Sequence, residues 1–262
     1  VLPIENLSDR KAPLQEIHAR LVASLAATGL RILDNAALDG FLHRHRIRHV
    51  GGIDRQGSLR LQEELGVDGV VITALETWYD TVPPRVALIA RVVATGDEPE
   101  LVWIDSVGLA GDEAPGLLGL GLVDEVESLL DKALTKLADS FGAYLAGKAP
   151  SYRHATEPPG VRLINGGADT ADGLLAPGED RHQPQFTFRA ATFDPTREYR
   201  VALVPLLNVN ARKHAGSIVT LHLAKQLHRY ENIRVIEPGL VREILLRYRM
   251  VMQTGPSLAA AD

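Results

Sequence analysis

The chain contains no cysteine. Disulfides, thiolate metal sites and cysteine nucleophiles are therefore excluded within its 262 residues. Aromatic residues make up 5% of a composition that is 45% hydrophobic, so the core has to be built from Leu, Val, Ile and Ala. No apolar run approaches the ~20 residues that a bilayer-spanning helix needs. Charge of neither sign dominates: 28 Lys and Arg against 33 Asp and Glu leave a formal charge of -5, which gives no general attraction to nucleic acid or to an anionic membrane. A Gly-x-Ser-x-Gly nucleophile elbow is also missing, and no carboxylate pair stands apart from ordinary helix-surface acids. The sequence thus offers no catalytic constellation, and we expect neither an enzyme nor a bound cofactor.

What the chain does contain is a phrase used twice. Val1-Leu-Pro3-Ile-Glu-Asn6-Leu-Ser8 returns as Val201-Ala-Leu-Val-Pro205-Leu-Leu-Asn208-Val-Asn210. In both places Pro is followed three residues later by Asn, ahead of an amphipathic helix. Ile17, Leu21 and Leu25 match Val219, Leu223 and Leu227. After one inserted residue, Arg31-Ile-Leu-Asp34 matches Arg234-Val-Ile-Glu237, and Leu38, Phe41, Leu42 and Arg46 match Val241, Ile244, Leu245 and Arg249. A register held through two apolar runs and two helical patterns argues for domain duplication.

Periodicity lays out the first unit. Residues 1–5 form a short strand, 13–28 a helix closed by Gly29, and Leu30 to Leu33 a second strand. Asp34 or Asn35 caps a helix running to about Arg46. A Gly51-Gly52 loop precedes a third helix, Ser58 to Leu65, with Ser58 as its cap and Gly66 as its stop. Val67 to Tyr79, Arg85 to Ala94 and Leu101 to Leu109 are strands joined by Asp80-Thr-Val-Pro83-Pro84 and Gly96-Asp-Glu-Pro99 turns. Val123 to Leu145 is a long amphipathic helix. The order β-α-β-α-α-β-β-β-α predicts an α/β fold of the mixed-sheet α+β kind, a two-layer module spanning residues 1–147. Residues 148–198 are a linker with a further strand at Gln185 to Ala190. Residues 199–262 begin a second copy that lacks the meander and last helix. Such a half-unit leaves apolar faces to be buried, either by more chain or by something it packs against. Val1 opens directly on an apolar strand, so we expect residues ahead of it.

Several side-chain groups bear on chemistry. His45 and His49 stand four apart at a helix end, but a third ligand at defined spacing is missing and Arg44, Arg46 and Arg48 repel a cation. The cluster is expected to be a solvated basic helix terminus, and secondarily a patch for an acidic partner. Gly142-Ala-Tyr-Leu-Ala-Gly147-Lys148-Ala149 has phosphate-loop spacing until Ala149, yet it ends a helix instead of opening one. Gly116-Leu-Leu-Gly119-Leu-Gly121 follows Pro115 in a loop without a βαβ unit. Asp68, Asp80, Asp97, Asp105 and Asp112 border strands, where turn and edge roles are usual. Trp78, Tyr79 and Trp103 fall on the meander, as cross-strand packing or as a platform for a partner.

The first phrase resembles the Leu-Pro-Phe-x-Asn-x-Ser/Thr signature of a superfamily of periplasmic α/β domains. That superfamily joins the TolB amino-terminal domain, the CsgG-like domain of the curli-secretion lipoprotein and the lipoprotein activators of penicillin-binding proteins. Arg31-Ile-Leu-Asp34, Leu65-Gly-Val-Asp68-Gly-Val-Val-Ile72 and Val102-Trp103 resemble further family segments, in the same order. The resemblance covers about residues 1–147 and 200–262. It implies a non-catalytic periplasmic adaptor or assembly protein, often outer-membrane-anchored as a lipoprotein, that contacts other cell-envelope proteins or its own copies. Ile4 stands where the family has an aromatic residue. Pro83-Pro84 closes its hairpin too soon for membrane-barrel strands, and a lipidation cysteine would lie upstream of Val1. Partner contacts are expected at Trp78, Tyr79, Trp103, Arg44, Arg46 and Arg48, with sheet edges open to a partner strand. Nucleic acid is not an expected partner. The competing expectation is a small-ligand or nucleotide-binding α/β domain using the Gly-rich turns or the His/Arg cluster.

Overall fold

The protein is described here by a computed structural model that covers residues 1–113 and 122–147 and, between 192 and 248, all but 193, 195, 207, 209 and 210. The strand expected at Gln185 to Ala190 and the glycines at 116, 119 and 121 lie outside the described residues.

Local chemistry sets each element of the first unit. β1 (Glu5–Asn6) is short, but its ladder is prolonged by Leu2 N–H donating to Val71 O at 2.9 Å and Leu7 N–H to Leu75 O at 2.8 Å. The Asn6 amide then turns the chain by donating to Arg10 O at 2.7 Å. α1 (Leu14–Ala26) follows, and Gly29 leaves the helix at φ 90, a conformation that side chains resist. α2 (Asn35–Arg44) is capped by Asp34, whose carboxylate accepts the N–H groups of Ala36 and Ala37 at 3.0 and 3.3 Å. α3 (Arg55–Leu65) starts earlier than expected. Its cap is Asp54, which accepts from Gly57 N–H at 2.6 Å, while Ser58 is buried inside the helix and accepts from Gly96 N–H at 3.0 Å.

The meander consists of β2 (Gly69–Tyr79), β3 (Arg85–Ala94) and β4 (Glu100–Ala110), followed by α4 (Val126–Leu145). β1 runs parallel to β2, and the other pairs are antiparallel, giving the order β1-β2-β3-β4. The strand sequences are apolar at nearly every position, the signature of burial on both faces. On one face Leu75, Leu88, Ala90 and Trp103 pack under α1 and α4 through Ile17, Leu21, Leu130, Leu134 and Phe141. On the other, Ile72, Ala74, Ile89, Val93 and Ile104 pack under Leu38 and Phe41 of α2 and Leu61 of α3.

The mixed α/β class read from the sequence is the one the chain adopts, and the half-unit packs against the sheet of the first unit. It comprises β5 (Tyr199–Val201), α5 (Ala215–Leu227), β6 (Ile233–Val235) and α6 (Pro238–Arg247). β5 and β6 pair in parallel, and Ile236 bridges Glu100 in the antiparallel sense, so the small sheet continues the large one at β4. Leu221, Ala224 and Val235 join the core on the second face. The two layers expected of one module are three already in the first unit, with α1 and α4 on one face of the sheet and α2 and α3 on the other, and the second unit adds to the latter.

One expected element is corrected. Leu30 to Leu33 is extended but is not a strand, and among the described residues it makes no backbone hydrogen bond. Its counterpart β6 has β5 as partner. In the second unit, α5 leaves open the face that matches α1. Ile17 and Leu21 are buried, whereas the matched Val219 and Leu223 are 46% and 41% exposed. In the first unit that face lies under α4 and the meander; α5 lacks both among the described residues, and it docks on the sheet through Thr220, Leu221 and Ala224 instead.

Candidate functional site

The junction of the two units concentrates the buried polar chemistry. Arg91 lies in the middle of β3 on the second face and is 2% exposed, and Glu237, 0% exposed, faces it from the start of α6. The pair is bidentate: Arg91 Nε donates to Glu237 Oε2 at 3.0 Å and Nη2 to Oε1 at 2.9 Å. Nη2 also donates to Gly51 O at 2.7 Å. Glu237 is the residue matched by the helix cap Asp34, and it keeps that job by accepting from Gly239 N–H at 3.3 Å. The repeat has thus turned a surface cap into an inter-unit clasp.

Glycines let the backbones close around it. A Cβ on Gly239 would stand well inside contact distance of the Ile53 backbone, and one on Gly52 would lie 2.9 Å from Gly239 Cα. A Cβ on Gly51 would collide with the Glu5 carboxylate. Burial raises the Glu5 carboxyl above its ordinary value, against the opposing pull of Arg91, His214 and Arg242. Burial likewise lowers His49, helped by the positive charges of Arg242 and Arg91.

Further ion pairs surround the clasp. His222 of α5 lies 3.0 Å from the buried Glu76 of β2, and Arg212 donates to the Glu76 carbonyl. Lys225 of α5 reaches Asp105 Oδ1 at 2.7 Å and Ser106 Oγ at 2.9 Å, while Ser140 donates to Asp105 Oδ2 at 2.6 Å. The Ser106–Lys225 approach has the spacing of a nucleophile and its base. With the Lys225 ammonium engaged by the Asp105 carboxylate, the arrangement works as a cross-link between α5 and β4. Arg234 of β6 binds both Glu100 and Glu198.

A second feature lies at the other edge of the sheet. An aliphatic slot of about 630 Å³ opens between Leu30–Asp34 and the start of β2, lined by Leu2, Leu25, Leu65, Val71 and Phe141 among others. It occupies the place where the second expected strand should have paired.

The residues expected to meet a partner are scattered. Trp78 and Trp103 are buried in the core under α1 and α4, with the Trp103 ring 5.0 Å from Phe141. They lie on β2 and β4, separated by β3, and only Tyr79 reaches the surface, with the Arg10 guanidinium 4.7 Å above its ring. Arg44 pairs with Glu64 at 3.4 Å, and the same carboxylate sits 2.7 Å from His45. Arg46 turns the chain at φ 54, and it and Arg48 are exposed at the end of α2. Gly147 follows α4 at φ 64, so Gly142 to Gly147 of the phosphate-loop spacing sit at a helix C-terminus, while Lys148 and Ala149 lie outside the described residues. Among the described residues no three His, Asp or Glu side chains gather as metal ligands, and no helix is long and apolar enough to cross a membrane. Sequence inspection missed Arg91, Glu237 and Glu5. The available signals were an arginine inside an apolar strand and an acid conserved between the two repeats.

No protein-family model matches the chain, and no curated protein does. Among solved structures, the lipoprotein GNA1162 from Neisseria meningitidis aligns over 53% of this chain and 94% of its own, at 16% identity and a TM-score of 0.39.

Proposed function

We propose that the protein is a non-catalytic cell-envelope adaptor that acts through protein–protein contacts, in the periplasm and held at the outer membrane. The observation that carries this is the apolar surface of the second unit. Val219 and Leu223 stand one turn apart on α5, and Ile244 and Tyr248 one turn apart at α6, all exposed at 41–64%. Apolar side chains repeated at helical spacing on a surface mark a place where another protein sits. The polar groups point the same way. Those at the junction bind one another, so they support a rigid body more than a reaction. The family phrases in both units, Pro3 with Asn6 and Pro205 with Asn208, supply the envelope setting. Asn6 and Asn208 do the same work in both, each donating to the carbonyl four residues on, at 2.7 and 2.6 Å. They are turn-formers, so partner choice belongs to the surface that the repeat builds.

Capture from solubilised envelope fractions tests the proposal. The wild-type chain is expected to retain a specific partner that Val219→Asp/Leu223→Asp loses while keeping its unfolding midpoint. Equal capture by both, or none by either, overturns it.

A further inference from the structure

In the first unit a helix covers the face that α5 leaves open in the second. Ile17, Leu21 and Leu25 of α1 share one core with Leu130, Leu134 and Leu137 of α4. The two helices run the same way: Arg20 Nη1 donates to Asp131 Oδ1 at 2.9 Å, and farther along a Cβ on Gly142 would lie 3.6 Å from Thr28 Cγ2. The cover of this stripe is thus an amphipathic helix with an acid at the start of the seam. Val219 and Leu223 repeat Ile17 and Leu21 on α5, and both are exposed. Charge is the second observation. From Ala211 to Tyr230 the chain carries Arg212, Lys213, Lys225 and Arg229 and no Asp or Glu. Lys225 is engaged by Asp105, and His222, which stands where α1 has Arg20, is turned to Glu76. Arg212 donates to a carbonyl, that of Glu76, and Lys213 is exposed just ahead of α5. A narrow apolar seam flanked by cations fits an acidic helix better than a bilayer, which takes a broad apolar face.

We propose that Val219 and Leu223, with the cations around α5, form the docking seam for an amphipathic, acidic α-helix of a partner protein, laid along α5 as α4 lies along α1. The inference rests on the adaptor reading for the use of this surface and adds the form of the partner. Aliphatic residues one turn apart on the incoming helix meet Val219 and Leu223, and its acids meet Arg212 and Lys213. The other side of α5 is committed to the sheet through Thr220, Leu221 and Ala224, which holds the seam in place.

Fluorescence anisotropy tests the proposal with a labelled peptide of residues 123–147, the sequence of α4 and its lead-in, which carries five acids against two lysines. It is the helix already fitted to the matched stripe. Saturable binding below about 100 μM is expected, a range suited to one helix seam. Leu223→Asp in the protein, and Leu130→Asp/Leu134→Asp in the peptide, are each expected to weaken binding at least about tenfold. The unfolding midpoint of Leu223→Asp holds, because Leu223 is exposed. Neutralising the peptide's acids to Asn and Gln weakens binding at least about threefold and flattens its salt dependence. No binding overturns the seam, and so does equal binding by Leu223→Asp, since the peptide then enters the core beside α1. A dimer in sedimentation that Leu223→Asp abolishes, or attachment of the wild-type chain to phosphatidylglycerol vesicles through the same residue, overturns the assignment of the occupant. If envelope capture depends on Val219 and Leu223 while the peptide does not bind, the adaptor reading stands and the helix assignment falls. If the peptide binds and nothing is captured, the seam accepts a helix and the adaptor reading falls.

Discussion

Removing the Glu237 carboxylate tests the clasp. In Glu237→Ala, Arg91 keeps its 2.7 Å bond to Gly51 O but loses both bonds to Glu237. A buried charge stripped of its partner costs about 3–5 kcal/mol. Loss of the α6 cap at Gly239 N–H adds about 1 kcal/mol. With a urea slope of about 3 kcal/mol/M, the sum of about 4–6 kcal/mol lowers the midpoint by roughly 1.3–2 M. Replacing both partners with Met removes both charges together, and the remaining deficit is about 1 kcal/mol or less. Far-UV circular dichroism follows the helices of both units, whereas Trp78 and Trp103 fluorescence follows only the core under α1 and α4. A circular-dichroism midpoint that falls by less than about 0.3 M in Glu237→Ala, or a double variant as damaged as the single one, refutes the reasoning.

The other expectations concern the same junction and the surfaces around it. Glu5→Gln stabilises the protein at pH 7: a carboxyl raised in the folded state favours folding below its ordinary value and disfavours it as pH rises through the folded value. The advantage of Gln is therefore lost on acidification below the ordinary glutamate range, and a pH series of thermal melts with parallel curves would contradict it. Gly239→Ala pushes backbone against the Ile53 backbone and costs about 1–3 kcal/mol, whereas Gly40→Ala, with only Arg44 Nη1 at 3.5 Å, is neutral or gains up to about 1 kcal/mol. Paired urea melts of the two variants separate close approach from helix propensity. Leu221→Ala costs about 2–4 kcal/mol and Leu223→Ala less than about 0.5, although both are leucines on α5.

Local signals in the sequence carried most of the first unit. Arg85 to Ala94 matches β3 at both ends, and Asp34 and Gly66 cap the helices they were expected to cap. α3 is capped by Asp54 and not by the expected Ser58, because an N-cap signature says little about which of two nearby polar residues is buried. The burial of both sheet faces was written in the continuous apolar strands, but the part of the second face's cover that α5 and β6 supply is a contact across more than a hundred residues. The same limit applies to α5. Matched sequence predicts the same apolar stripe, yet the stripe is buried only where α4 and the meander exist to cover it. The clasp was illegible beforehand, since a buried Arg91 becomes acceptable only once Glu237 is known to face it. Trp78 and Trp103 were weighed as packing residues or as a platform, and their depth in the core under α1 and α4 leaves Tyr79 as the exposed member of the three.

Photo-crosslinking along α5 in intact cells tests the central claim most directly. With a photoreactive amino acid at Leu223, which is exposed, and separately at Leu221, which is buried against the sheet, the adaptor account predicts one discrete intermolecular product, in the envelope fraction, from position 223 alone. Products from neither position, or equally from both, would contradict it.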